Sequence, residues 1–226
     1  MRHWTRPDGR CFVFGEPDND LPRGDLYAVV EASDVEKFRT LEDLGFAPHR
    51  RELVMRLPTD PRASGLAGTA PPSGIALIRA DAVEERRLRL LDDDLRQDVP
   101  GTSGWRWDED GFHAETYESP DYDPATYVVA VTAAGEYVGI ARVWMKPGQE
   151  RLGFIGVRRE HRRRGLARAL LAAALAVLHE RGVQAISTEV DEHNVASRAL
   201  LESVGAEVVG ASLELVRRGG RDDRSE

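Results

Sequence analysis

The stretch Ile155–Leu171, IGVRREHRRRGLARALL, passes from an apolar run into a helical pattern. Upstream, Arg151–Val157 reads as a strand; downstream, Leu166, Leu170, Ala174, Leu175 and Leu178 recur at helical spacing until Gly182 stops them. Gly165 and the small Ala167 therefore fall in the first turn of a helix that follows a strand. The first N–H groups of a helix lack partners inside it and stand at the positive end of its dipole. Without a Cβ at Gly165, a phosphate can approach those donors closely. Six arginines and His161 lie within 158–168, in an otherwise acidic chain. The cluster has two readings, a phosphate site or a solvated basic surface. It is not a P-loop, since no lysine follows the glycine, and GxGxxG is absent.

Elements alternate on both sides of this stretch. Gly74–Arg79 reads as a strand, Ala82–Gln97 as a helix and Asp98–Pro124 as irregular chain. Tyr127–Val131 and Tyr137–Met145 are apolar runs around a hairpin turn at Ala133–Glu136. Gln184–Val190 is a strand, Val195–Ser203 a short helix ending before Gly205, and Ala211–Val216 a last strand. This order predicts an α/β sandwich with one mixed sheet.

Pro58–Gly74 (PTDPRASGLAGTAPPSG) has a linker composition. It divides the chain into an N-terminal unit, 1–57, and a unit of ordinary domain length, 75–226. Shifted by 160 residues without a gap, Val30–Phe46 lies on Val190–Ala206; Val30/Val190, Val35/Val195, Leu41/Leu201, Glu42/Glu202 and Gly45/Gly205 coincide. Both copies read as strand, short helix, glycine stop, strand. Duplication explains this, as does the general likeness of such units.

The 226 residues are 41% hydrophobic and 31% charged, with net charge −8 and pI near 5.4. That balance argues against nucleic acid or an anionic membrane as partner. Cys11 is the single cysteine, so no internal disulfide forms. Met1–Gly9 is polar, and no run approaches the roughly 18 apolar residues of a membrane helix. The expectation is a soluble, cytoplasmic protein. The six histidines show no HExxH or HxxxH spacing and no Gly-x-Ser-x-Gly occurs, so neither a metal nor a serine nucleophile is expected.

Ile155–Leu171 resembles the cofactor motif of the GNAT superfamily of N-acetyltransferases: Arg or Gln, two residues, Gly, one residue, Gly or Ala, here Arg162, Gly165 and Ala167. Downstream, Glu189-Val190-Asp191-Glu192-His193-Asn194, with Ala199-Leu200 and Gly205, resembles the family's second motif. The resemblance covers about 75–217. It implies a mixed, mostly antiparallel sheet flanked by helices, acetyl-coenzyme A as co-substrate, and transfer to a primary amine of a small molecule or protein in a ternary complex. Residues 1–57 resemble a degenerate half of a second such domain, with Asp34 where Asn194 stands and Val29 where Glu189 stands. Such a unit would pack on its own domain through Leu41, Leu44 and Phe46, or on a second copy in a homodimer.

The resemblance also implies roles. Backbone groups of Ile155, Gly156 and Val157 would bind the pantetheine arm and acetyl carbonyl. The N–H groups of Arg163, Arg164, Gly165, Leu166, Ala167 and Arg168 would hold the pyrophosphate, beside Arg162. Asn194 would orient the pantetheine or simply cap its helix. Glu189 matches a glutamate that acts as base, usually through water, or it is a surface strand residue. The family's tyrosine acid is replaced by Leu201; Ser197, one turn earlier, would bind the thiol or a water. The acceptor pocket would form at 98–124, which carries eight acids that would attract a cation. Trp105 and Trp107 there read as packing residues. The loss of the tyrosine leaves an alternative, a catalytically silent acetyl-coenzyme-A-binding regulator.

Overall fold

The structure, a computed structural model, describes residues 2–15 and 21–219. Among these, ten strands form one sheet: β1 (Arg2–Thr5), β2 (Cys11–Phe14), β3 (Leu26–Glu31), β4 (Ala47–Pro58), β5 (Ile75–Arg79), β6 (Tyr127–Thr132), β7 (Tyr137–Trp144), β8 (Arg151–Val157), β9 (Ala185–Asp191) and β10 (Glu207–Arg217). Their spatial order is β1-β2-β3-β10-β4-β9-β8-β7-β6-β5. Neighbours are antiparallel except β2–β3 and β8–β9. The helices are α1 (Val35–Asp43), α2 (Glu85–Arg96), α3 (Glu109–Thr116), α4 (Leu166–Glu180) and α5 (Val195–Glu202). No helix among the described residues is long and apolar enough to cross a membrane.

Helical period decides which face each helix buries. Leu166, Leu170, Ala174 and Leu178 of α4 pack on Leu53, Met55 and Leu57 of β4, Leu152 and Val157 of β8, and Ile186 and Val190 of β9. On the opposite face, Leu88, Leu91 and Leu95 of α2 and Phe112 of α3 cover Tyr127, Val129, Ile140 and Phe154. In α1, Leu41 packs with Leu26, Ala28, Val30 and Leu215.

Residues 1–57 do not form a separate layer. Strand β4 runs between β9 and β10, and β10 runs between β3 and β4. The 160-residue shift recurs in the pairing. Ala211↔Leu53 has its counterpart in Leu213↔Arg51, and the irregularity at Val208/Gly210 of β10 in one at the matching place of β4. Leu213↔Val30 matches Leu53↔Val190. The parallel pair Phe12↔Tyr27 matches Arg151↔Ser187, so β1 and β2 sit where β7 and β8 sit. Each strand that follows a short helix pairs with the other half of the sheet. Leu41 and Phe46 are buried and Leu44 is half-buried, in a cluster formed mainly by Val13, Leu26, Ala28 and Val30 of the same unit, with Leu215 of β10.

Three expectations change. Segment 58–74 is not a bare tether: Leu66 enters the core under α4, Thr59 and Ser64 are buried, and Arg168 donates to the Gly65 carbonyl at 2.7 Å. The irregular stretch contains α3, started by Asp108, whose carboxylate accepts from the Gly111 N–H at 2.7 Å. The hairpin β1–β2 lies outside the strand–helix–strand reading of the first unit.

Candidate active site

Strands β8 and β9 part company. Their parallel pairing ends at Leu152↔Thr188, although β8 runs on to Val157 and β9 to Asp191. Register with β7 jumps from Val143↔Leu152 to Arg142↔Phe154, making Gly153 the extra residue of a bulge that bends β8 away. A Cβ at Gly153 would collide with the Trp144 indole, which any larger residue would have to displace. Beyond it, Ile155, Gly156 and Val157 pair with β7 on one edge. Their other edge faces the opening.

The opening leads to the start of α4. Arg163 has φ 60°, the one positive value at a non-glycine among the described residues, and Gly165 has φ 82°. Backbone strain of this kind concentrates at ligand sites. The first α-helical bond runs from Ala169 N–H to Gly165 O at 3.1 Å, leaving the N–H groups of Leu166, Ala167 and Arg168 without helical partners. Nothing stands within 4 Å of where a Gly165 Cβ would be. A left-handed residue followed by bare helical amides is a concave anion nest, and it fits a pyrophosphate.

The arginines divide into braces and exposed groups. Arg162 donates from Nε to Val157 O at 2.7 Å and from Nη2 to Asp98 at 2.5 Å. Arg159 Nε donates to the same carboxylate at 3.1 Å. The two guanidiniums, Arg159 first, hold the Asp98 carboxyl down at about 2. Arg168 ties Ser203 O at 3.0 Å to Gly65. The side chains of Arg163 and Arg164 are exposed. At α5, Asn194 Oδ1 accepts from the Ser197 N–H at 3.1 Å, so Asn194 caps the helix and Ser197 lies in its first turn. Leu201 is buried in the core.

Glu189 is the first β9 residue past the last pair with β8. It is exposed on the face away from α4, with Arg151 Nη1 at 2.5 Å. The same face carries Glu52, Asp191, Glu214 and Arg50, which sequence reasoning missed because the order β9-β4-β10 assembles them. Buried Glu214 accepts from Arg10 at 3.2 Å and Arg50 at 3.0 Å. Buried Asp191 accepts from the His193 N–H at 2.8 Å. Glu52 lies 2.9 Å from Arg50, and partial burial, reinforced by Glu189, Glu214 and Asp191 and opposed by Arg50, pushes its carboxyl up.

The α2–α3 loop closes over this face. Arg50 donates to Pro100 O at 2.7 Å, Arg6 to Gly101 O at 3.1 Å, and Arg10 also to Gly101 O. The guanidiniums of Arg6 and Arg96 pack on the Trp105 ring, 4.5 and 4.4 Å from its centre. Trp107 donates from Nε1 to Asp92 at 3.0 Å in the core. Both are packing residues. Tyr117, Tyr122, Tyr127 and Tyr137 belong to or pack against the α2–α3 core, and burial pushes the Tyr122 phenol up to about 12.

Comparisons with known proteins point to one family. The Acetyltransferase (GNAT) family profile matches residues 89–206. A mycothiol acetyltransferase of Salinispora arenicola is 37% identical over 171 residues, covering 72% of this chain and 53% of that protein. One of Clavibacter sepedonicus is 30% identical over 164 residues, with the same coverage of both. The chain thus spans about half the length of the curated relatives it matches. A GCN5-related N-acetyltransferase from Sphaerobacter thermophilus superposes with TM-score 0.67 at 25% identity, over 86% of this chain and 59% of that one. A tandem GNAT protein from the clavulanic acid biosynthesis pathway shares the fold, with TM-score 0.66 at 21% identity over 89% of this chain and 66% of that one. With its profile match, its bulged and splayed β8–β9 edge and its bare helix start, the chain belongs to the GNAT acetyltransferase family.

Proposed function

We propose that the protein transfers an acetyl group from acetyl-coenzyme A to a primary amine, by direct attack in a ternary complex. The observation that carries this reading is the β8–β9 opening, with the bare amides at the start of α4 following directly on β8 in the chain. Ile155, Gly156 and Val157 would receive the pantetheine arm along their free edge, and Arg163–Arg168 the pyrophosphate. Asn194, held as a cap, would present its amide nitrogen to the arm, with Ser197 beside the thiol. Glu189 borders the opening on the acceptor face, in the group of carboxylates from which the base for the amine proton would come. The mycothiol acetyltransferase names of the relatives make an amine on a thiol-bearing compound the first acceptor to try.

Residues 1–57 would be a degenerate partial copy of the domain formed by 75–226, joined through 58–74. The matched register on both sides of the β10–β4 pair supports this. Between β2 and β3 it has only residues 15–25, where the other copy has the phosphate loop and α4 in 158–184. One coenzyme A per chain is therefore expected.

The buried Leu201, which cannot donate a proton, favours a second reading, a silent coenzyme-A-binding regulator. One experiment separates the two. Calorimetry with coenzyme A should give a single site; chromatographic detection of coenzyme A formed from acetyl-coenzyme A should then show turnover with cysteine methyl ester, spermidine or a lysyl peptide. Binding without turnover selects the regulator, and no binding rejects both.

A further inference from the structure

We propose that Glu52, on the N-terminal strand β4, is the carboxylate that takes the proton from the acceptor amine. The inference rests on the acetyl-transfer reading above and adds a catalytic residue from the half of the chain that lacks the family motifs.

Four carboxylates face the acceptor side of the central strands, and their surroundings sort them. Glu214, 3% exposed, is held by Arg10 and Arg50. Asp191, 7% exposed, is held by the His193 amide. Glu189 is 35% exposed and engages Arg151 at 2.5 Å. Glu52 alone is both partly desolvated and reachable, at 23% exposure, with Arg50 as its ion partner. It stands directly across from Asp191, in the strand adjoining the one that borders the β8–β9 opening. Adjacent strands are about 4.8 Å apart, within reach of a glutamate and one water. Arg50 also donates to Pro100 O, so the group that orients Glu52 holds the loop above it.

The proton account is closed by these groups and solvent. A Glu52 oxygen accepts one ammonium proton, directly or through one water. The freed nitrogen pair forms the C–N bond to the acetyl carbon, and the C–S bond breaks with its pair remaining on sulfur. A second nitrogen proton reaches that sulfur through solvent, and Glu52 returns its proton to water. Desolvation, opposed by Arg50 and reinforced by three neighbouring carboxylates, raises the Glu52 carboxyl from its ordinary value, the direction a base requires. The charged groups around it are Arg50 on its own strand, Glu189 and Asp191 on β9, and Glu214 on β10. Arg10 and His49 act through Glu214, and Arg151 through Glu189.

Glu52→Gln and Glu189→Gln test this against wild type, using acetyl-coenzyme A with cysteine methyl ester, spermidine or a lysyl peptide, whichever the wild-type protein turns over. Glu52→Gln is expected to lower kcat by on the order of 10²-fold and remove the acid limb of the kcat/KM–pH profile, with calorimetric coenzyme A affinity unchanged. Glu189→Gln should keep that limb, shifted to lower pH by loss of a neighbouring negative charge. A readout independent of activity is Tm against pH. A carboxyl raised in the folded state binds its proton more tightly there, so stability falls as pH rises through that raised value. Glu52→Gln removes this loss and should match or exceed the wild-type Tm at neutral pH. Turnover within about twofold of wild type in Glu52→Gln, or a lower neutral Tm together with lost coenzyme A binding, overturns the assignment. Failure of wild type to bind coenzyme A would instead refute the acetyl-transfer reading.

Discussion

At residue scale, the start of α4 shows how much chemistry a few positions carry. Gly165 combines φ 82° with open space at its absent Cβ. A side chain there costs about 1–2 kcal/mol in backbone strain but meets no neighbour, so Gly165→Asp should fold. Its carboxylate would stand in the phosphate approach, and calorimetry should find coenzyme A affinity at least ~10-fold weaker, about 1.4 kcal/mol. Unchanged affinity in the folded variant would remove the pyrophosphate from this turn. The glycine was legible because its conformation is a local property. The commitments of Arg162 and Arg168 were not, since Asp98, Gly65 and Ser203 are remote in sequence. Asp98 occupies two guanidiniums beside the nest. Exposed pairs are worth about 0.2–1 kcal/mol each, so Asp98→Asn should tighten coenzyme A binding roughly 2–5-fold at low salt and less at high salt. Weaker binding would mean that Asp98 poises the arginines rather than competing for them. Because Asp98 is held near 2 in the folded protein, its contribution to stability is present above the ordinary carboxylate range and is lost as pH falls through about 2. The Tm difference between wild type and Asp98→Asn should disappear below that pH.

At element scale, period and punctuation located β8, α4, β9 and α5, because each is a local pattern with its own stop. The same reasoning passed over α3, whose eight residues bury one large apolar side chain, Phe112, among acids. It also passed over β1 and β2, in which Arg2, His3 and Trp4 are exposed and give no alternation. What these elements do depends on long-range contacts. The α2–α3 loop is shaped by Arg6, Arg10 and Arg50, which all donate to Pro100 or Gly101. A Cβ at Gly101 would lie 1.9 Å from Arg50 Nη1, at φ 77°. Gly101→Ala must therefore move the loop or displace Arg50. If the loop covers the acceptor, KM for the amine should rise on the order of 10-fold, since misplacements near 1 Å cost up to about 10²-fold in rate. Coenzyme A affinity should change less, by no more than the roughly 2–5-fold expected of Asp98, which ties the same loop to Arg159 and Arg162. An unchanged KM for the amine would detach the loop from acceptor binding.

At the scale of the molecule, the position of β4 decides what the first 57 residues are for. The sequence suggested a unit docked by an apolar patch, and the pairing makes it an interior part of the sheet. Removing 1–57 would strip β9 and β10 of their shared neighbour and take Leu53, Met55 and Leu57 from the core under α4. Each such side chain contributes about 2–5 kcal/mol, and whole domains are stable by about 5–15 kcal/mol. The loss of three, with two hydrogen-bonded ladders, matches or exceeds the total. Residues 58–226 alone should therefore be insoluble or lack fixed packing, with dye-binding apolar surface and no near-ultraviolet dichroism. The contacts that join the two pieces are non-covalent apart from one bond at Leu57–Pro58. Co-expressed as separate chains, 1–57 and 58–226 should reassemble and restore a single coenzyme A site, measured by calorimetry on the purified pair. A truncated 58–226 that melts cooperatively near the wild-type Tm would show that β9 and β10 can close on each other. The inserted strand would then be an addition to the sheet rather than its centre.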